Sequence, residues 1–410
     1  MRKQKQRNLK TGSNLSKNNT LTLQEALRMF GPVIAVVVAF IGTIIHFKSN
    51  QLSAASQDGQ QTGGCILSKP YIYNYTSGFL RRDFNMQKYS FPYSGSSIDR
   101  RSCLSIQEFW DVYDAKWPVL ITDVVPKWNA FSWTSKYFSD HYGDERVVMK
   151  ACRGMLRDAT SLALPLKLFL KHLNDSSPTS WTYFEDELFL PLRKELRSQI
   201  PANDYNSENW FNLFPPELRP WDCMILWGTA YSRSSLHIDP YNWTGTNAVL
   251  KGKKRWRLFP PGQDSLLSVY PDRKCGFPLE CMKYNSPIDA FSLETNEVTF
   301  PLFKRAFYLE FEQQPGELLI IPTGWFHQAY NVETTLAISG QIMNRNNHLI
   351  ILEEILKAGV IKRSAIPSYF NELEPKEQVK LFVSLLPKKV IEKGKMVTEE
   401  VINQVKQTSK

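Results

Sequence analysis

The rhythm of hydrophobic and polar positions changes near Asp222. Upstream, helical and extended patterns are mixed. "SIQEFWDVYDAKW" places Phe109, Trp110 and Tyr113 at helical spacing behind Ser105, a residue suited to cap the first turn. "PVLITDVV" opens at Pro118 and is rich in β-branched residues, so it predicts a buried strand. "WTSKYFSDHYG" and "ATSLALPLKLFLKHLN" predict helices. Downstream of Asp222, short apolar runs alternate with turn residues. "DCMILWGT", "GTNAVLK", "KRWRLFP", "RAFYLEFE", "ELLIIP" and "TTLAISGQIM" each predict a strand, at a spacing that suits an antiparallel barrel or sandwich. A Pro- and Cys-containing insertion, residues 268–303, interrupts them and is expected over one mouth of the barrel. After Asn344 helical patterns return in "HLIILEEILKAG", stopped by Gly359, in "PKEQVKLFVSLL", and in "TEEVINQVK" with Thr398 as its cap.

One further apolar run stands apart. Met29–Phe47, "MFGPVIAVVVAFIGTIIHF", holds no acidic residue, Lys or Arg. As a helix it reaches about 28 Å, close to the hydrocarbon thickness of a bilayer. Its N-terminal flank, residues 1–28, carries seven Lys/Arg against the single acid Glu25, and a polar stretch rich in Ser, Gln and Gly follows it. That bias predicts an anchor with the N-terminus in the cytoplasm and the remainder across the membrane. A cleaved signal peptide cut near Ser53 is the alternative. The net charge of +10 is concentrated in this flank, so it argues against a nucleic-acid partner. Six cysteines, with Cys275 and Cys281 the nearest pair, and the sequons at Asn74, Asn174 and Asn242 are compatible with the lumen of the endoplasmic reticulum or secretory pathway.

Chemistry enters through "SSLHIDPYNWTGTNAVLKGKKRW". Residues two apart on a strand face one way, so His237 and Asp239 can point together into a barrel. "IIPTGWFHQAYN" offers a third ligand, His327, although an ordinary half-buried strand histidine reads the same. Two His and one carboxylate on one side of a metal leave the opposite positions open, the arrangement of non-haem Fe(II) oxygenases. Further on, "GTNAVL-KG-KKRWRL" reads as a hairpin turning at Lys251–Gly252, which sets Lys254 on the face of Val249 and Asn247. A Lys on an inward face needs an anion, and a dicarboxylate co-substrate would supply one. Were that face solvated, Lys254 would be one of three neighbouring exposed lysines.

Taken together, "HIDPYNWTGTNAVLKGKKRWRLFPPG" and "PGELLIIPTGWFHQAYNVETTLAISGQ" resemble the jumonji C (JmjC) domain. The branch they are most similar to is that of the small hydroxylases and the phosphatidylserine-receptor-like arginine demethylase and lysyl hydroxylase. The likeness extends over about Ser105–Asn344, including "PVLITDVVPKWNAFSWTSKYFSDHYGD". It implies a mainly β fold with helical flanks, a double-stranded β-helix of the cupin-like jelly-roll kind. It implies His237, Asp239 and His327 as catalytic Fe(II) ligands, with 2-oxoglutarate and O2 as co-substrates. Lys254 would meet the distal carboxylate of 2-oxoglutarate, with Asn247 beside it; Ser339 and Ser234 stand where the family has pocket threonines. Tyr183 in "YFED" would touch the same carboxylate, and Asn331 matches a position near the metal. Tyr241–Asn242–Trp243, following the metal carboxylate, departs from the pattern as an aromatic insertion.

The expected organisation is therefore a basic N-terminus (1–28), an anchor (29–47), a stalk (48–71), a helical and mixed part (72–221), the β-helix core (222–344) and C-terminal helices (345–410). The function expected is a membrane-anchored oxygenase that hydroxylates or demethylates a Lys or Arg side chain of a protein substrate. A JmjC-fold scaffold without turnover, or a cupin acting on small molecules with another metal, are the competing readings. Neither the pattern nor the resemblance fixes an oligomeric state.

Overall fold

The computed structural model describes residues 98–408, apart from 276–278, 280 and 293–297. The basic flank, the apolar run at 29–47, the stalk and Asn74 lie outside the described residues. Among the described residues no helix is long and apolar enough to cross a membrane.

The strands in chain order are β1 (Asp99–Arg101), β2 (Val119–Ile121), β3 (Arg146–Arg153), β4 (Thr160–Pro165), β5 (Ser180–Asp186), β6 (Met224–Gly228) and β7 (Thr244–Lys251). Then come β8 (Lys254–Phe259), β9 (Tyr270–Cys275), β10 (Cys281–Asn285), β11 (Leu309–Gln313), β12 (Leu318–Ile321), β13 (Phe326–Asn331) and β14 (Thr335–Ile342). Among the described residues they form a nine-stranded sheet, β1-β2-β12-β7-β14-β6-β5-β3-β4, facing a three-stranded sheet, β11-β8-β13, with the hairpin β9–β10 beside it. The expected mainly β, cupin-like jelly roll with helical parts is what the chain builds.

The two faces of the large sheet differ in chemistry, as a strand's alternation requires. Ile225, Trp227, Ala248, Leu250, Leu336 and Ile338 pack outward into an apolar core shared with the helix Ser135–Tyr142 and with Phe184 and Phe189. Burying each such side chain contributes roughly 1.5–3 kcal/mol, enough to fix the register of every strand. The opposite set, which includes Tyr183, Asn247, Val249 and Ser339, faces the smaller sheet.

Several expectations need correction. The hairpin at Lys251–Gly252 does not form: β7 pairs with β12 and β14, whereas β8 pairs with β11 and β13. Gly252, at φ +75°, turns the chain from one sheet into the other. Lys254 nevertheless faces the interior, set there by its place in the smaller sheet. The connection 332–334 likewise joins strands of different sheets, for Asn331 pairs with Lys254 and Thr335 with Gly228. The stretch 159–174 is not one helix. Residues 160–165 pair with β3 as an edge strand, and a helix begins only at Leu166, because Pro165 disfavours α backbone in the residue before it. Thr398 is no cap but lies inside Lys388–Thr408, whose start follows Pro387. The Ser105 cap, which accepts from the Glu108 N–H, and the stop at Gly359 are as expected. The part upstream of Asp222 contributes five strands to the large sheet, far more β than its pattern disclosed.

Candidate metal centre and co-substrate pocket

His327 sits on β13 with its neighbours Ala329 and Asn331 on the same face. His237 belongs to no ladder. It lies on an extended segment bridged to His327 on one side and to Asn285 of β10 on the other. The insertion is thus more than a cover, since its hairpin flanks the segment that carries His237. Ile238 N donates to Tyr284 O, and Ser286 N to Leu236 O. Cys281 of this hairpin is disulfide-bonded, and its register partner across the hairpin is Cys275. Cys103, Cys152 and Cys223 are free thiols.

Potential ligand atoms of His237, Asp239 and His327 lie within 4.8 Å of one another. Asp239 Oδ1 is 3.6 Å from His237 Nε2 and 3.5 Å from His327 Nε2. Each imidazole donates from Nδ1 to a backbone carbonyl, His237 to Ser235 O and His327 to Trp325 O, which leaves Nε2 with its lone pair. Burial and the neighbouring His327 pull the His237 pKa down. Burial pulls His327 the same way, but Asp239 overcomes it and the net shift is upward. Asp239 feels burial pushing it up, yet the two imidazoles hold its carboxyl well below the usual range. Two imidazoles around an ionised carboxylate, each neutral once its Nε2 takes the ion, are a donor set for a divalent cation.

Gly245 on β7 makes room for that carboxylate. A Cβ there would come within 2.1 Å of Asp239 Oδ2. A glycine inside a buried strand often marks such a close approach, and "WTGTN" offered that signal unused.

Deeper in the barrel, Lys254 is wholly buried and donates to Tyr183 Oη at 3.0 Å. It makes no ion pair among the described residues, and burial lowers its pKa to about 7 against a smaller opposing pull from Glu185. Asn247 and Asn331 are also buried, and each has an Oδ1 without a hydrogen-bond partner among the described residues. Turning either amide over would present its NH2 donors to the same space. Ser339 lies directly opposite Asn247 in the register and is half-buried. An unmatched ammonium with adaptable amides nearby fits the carboxylate end of a small dianion. The residues present therefore fit both the metal and an anionic co-substrate.

Ser234 has a task in the backbone. Its hydroxyl accepts from Ala329 N and its own N–H donates to Ala329 O, so it pins the His237 segment to β13. The hydroxyl that meets Asn331 is Ser232, which sequence reasoning missed; its Oγ accepts from Asn331 Nδ2 at 2.8 Å. No motif marks it, because the contact depends on how the irregular segment runs beside β13.

Tyr241 and Asn242, just beyond Asp239, both take left-handed backbone conformations, at φ 55° and 56°. For Tyr241 that costs about 1–2 kcal/mol, and less for an Asn; both side chains are buried. The aromatic insertion is thus a strained and fully packed element, and the sequon at Asn242 is closed to modification in the folded protein.

A family model described as a cupin-like domain matches residues 106–340, more than half of the chain. The lysine-specific demethylase JMJ21 of Arabidopsis thaliana is 28% identical over 280 residues, covering 68% of this chain and 28% of that protein. The bifunctional arginine demethylase and lysyl-hydroxylase psr-1 of Caenorhabditis elegans is 26% identical over 273 residues, 64% of this chain and 66% of its own length. The human 2-oxoglutarate and iron-dependent oxygenase JMJD4 is 32% identical over 176 residues, 42% of this chain and 39% of its own. The chain thus spans between about a quarter and two-thirds of these relatives. Their names carry the demethylase, hydroxylase and oxygenase branch expected from the motifs.

Proposed function

The chain belongs to the cupin-like domain family, and from that premise we propose that it is an Fe(II)- and 2-oxoglutarate-dependent oxygenase acting on a protein side chain. The observation that carries the reading is the pairing of two features in one barrel. One is a His-His-Asp cluster whose Nε2 atoms both face the carboxylate; the other is a buried ammonium that has no counter-ion among the described residues. His237, Asp239 and His327 hold the metal, which when bound supplies the oxidising chemistry. Lys254 and Tyr183 receive the distal carboxylate of 2-oxoglutarate, Asn247 and Ser339 line its flank, and Asn331, opposite Lys254 in the register, lies at the same end. Ser234 holds its segment to β13 and keeps its hydroxyl proton to donate into the pocket. The buried walls exclude water from the reaction. In the net reaction one O2 and one 2-oxoglutarate give succinate, CO2 and a hydroxylated C–H. On an N-methyl group that hydroxylation releases formaldehyde, so a Lys or Arg side chain and its methylated form are both within the same chemistry.

We further propose that Met29–Phe47 anchors the chain and sends this domain into the secretory lumen. The basic flank, the exposed sequon at Asn174 and the disulfide at Cys281 support that placement. Maturing proteins, rather than chromatin, are then the substrates. The test is release of succinate from 2-oxoglutarate by the purified full chain, with and without Fe(II), followed by mass spectrometry of candidate clients in cells carrying the wild type or His237→Ala. Absence of any succinate release that depends on iron and on His237 would sink the oxygenase reading and favour a scaffold.

A further inference from the structure

The two loops that present Asp239 and His327 are joined by one side chain. Asn242 Oδ1 accepts the Gly324 N–H at 2.6 Å, and Asn242 N donates to Asp239 O at 3.0 Å. Gly324 belongs to the turn Pro322–Trp325, closed by Trp325 N donating to Pro322 O, and this turn feeds His327 into β13. Trp325 O is also the acceptor that orients the His327 ring. Asn242 is therefore one residue removed, by backbone or hydrogen bond, from the groups that aim two of the three cluster members.

The preceding residue braces the same loop from its other side. Tyr241 Oη donates to Leu279 O and accepts from Leu279 N at 3.0 Å, so the loop is tied to the insertion. Its ring stacks on Trp243 with centroids 5.7 Å apart. Two consecutive left-handed residues, neither of them glycine, are held by side-chain bonds reaching opposite ways. Local backbone strain persists where surrounding structure over-determines it, and such strain gathers at functional sites. Asn is among the few residues that tolerate this backbone and can also accept a hydrogen bond.

We propose that Asn242 is a positioning residue of the metal site, fixing the Asp239 loop against the His327 turn so that the three ligands are set before the metal arrives. The inference rests on the three-ligand reading given above. It predicts that loss of the Asn242 acceptor weakens metal binding without unfolding the protein.

The test uses the full-length chain and Co(II), read by its ligand-field absorption, which reports both affinity and coordination geometry without turnover. Asn242→Gly keeps the left-handed backbone at lower strain and deletes the acceptor; Asn242→Asp keeps both. The expected result is at least a tenfold weaker Co(II) affinity and an altered spectrum for Asn242→Gly relative to Asn242→Asp, with metal-free melting of both close to wild type. Equal affinities for the two variants would overturn the proposal. So would collapse of the Asn242→Gly fold, which would make Asn242 a folding residue. Failure of the wild type itself to bind Co(II) would remove the three-ligand reading; wild-type binding with an indifferent Asn242→Gly removes this inference alone.

Discussion

Lys254 Nζ donates to Tyr183 Oη across 3.0 Å, and the bond joins strands of the two facing sheets, β8 and β5. It is a buried cation on a neutral partner, an arrangement that is costly until an anion arrives. Lys254→Met removes the charge and keeps much of the volume. Without co-substrate the variant should be more stable by about 1–4 kcal/mol, the range seen when buried charges give way to apolar groups. Its KM for 2-oxoglutarate should rise by about a hundredfold or more, since losing one partner of a buried charge pair costs about 3–5 kcal/mol. Metal affinity should move far less. Thermal melting, co-substrate titration and Co(II) titration check the three parts. A variant with lower stability and an unchanged KM would contradict the role given to Lys254.

The same lysine sets a pH dependence. Its folded pKa is depressed to about 7 by burial, below its ordinary value of 10.5. Between these values the unfolded chain binds the proton and the folded one does not, so metal-free stability should increase as pH rises from about 7 to about 10, at up to about 1.4 kcal/mol per pH unit. Below pH 7 both states are protonated and the cost is at its full value. Binding of 2-oxoglutarate favours the ammonium form, so KM for the co-substrate should climb as pH rises above 7. Lys254→Met should flatten the stability profile in this window, which calorimetric melting across the range would read.

Two glycines separate the metal end of the barrel from the anion end. At Gly245 a Cβ meets Asp239 Oδ2 at 2.1 Å; at Gly228 it meets Asn331 Nδ2 and Ser232 Oγ at 2.2 Å each. Gly245→Ala should therefore weaken metal binding at least tenfold, with a smaller effect on the co-substrate KM of whatever metal-loaded fraction remains. Gly228→Ala should do the reverse. Isothermal titration with Mn(II), then with 2-oxoglutarate, separates the two; identical profiles would argue against the spatial division of the pocket.

What the sequence disclosed follows from which signals are local. His237, Asp239 and His327 stand in short motifs, so the ligand set was legible, although His237 and Asp239 lie on an irregular segment and not on the strand that alternation implies. The pairing of strands was not. "LKGKKRW" looks like a two-residue hairpin because Lys251 and Gly252 suit one, yet in a jelly roll the chain changes sheets there. The local rule and the global topology agree on the face of Lys254 and disagree on its neighbours. The hold of Ser234 on β13 was hidden for a related reason: between Tyr231 and His237 the chain is bridged irregularly to β13, and strict alternation fails. Edge strand β4 was hidden by its composition, for the leucines of "SLALPLKLFL" are helix formers and only Pro165 marks the break.

The membrane topology gives the last expected outcome, and the sequons at Asn174 and Asn242 divide it. Asn174 is exposed next to the half-buried Leu173, so a lumenal domain should carry glycan there. Asn242 is 1% exposed and its side chain holds the Gly324 N–H, so a glycan at that position is incompatible with the folded barrel. Lumenal, folded protein should therefore be modified at Asn174 and unmodified at Asn242, and any fraction glycosylated at Asn242 should be retained as unfolded chain. Asn174→Gln should remove an endoglycosidase-sensitive shift, whereas Asn242→Asp should leave that shift in place. In sealed microsomes the C-terminal helices should resist protease until detergent is added. Cleavage in intact microsomes, with no glycan at Asn174, would place the domain on the cytoplasmic side and return cytosolic and nuclear proteins to the substrate list.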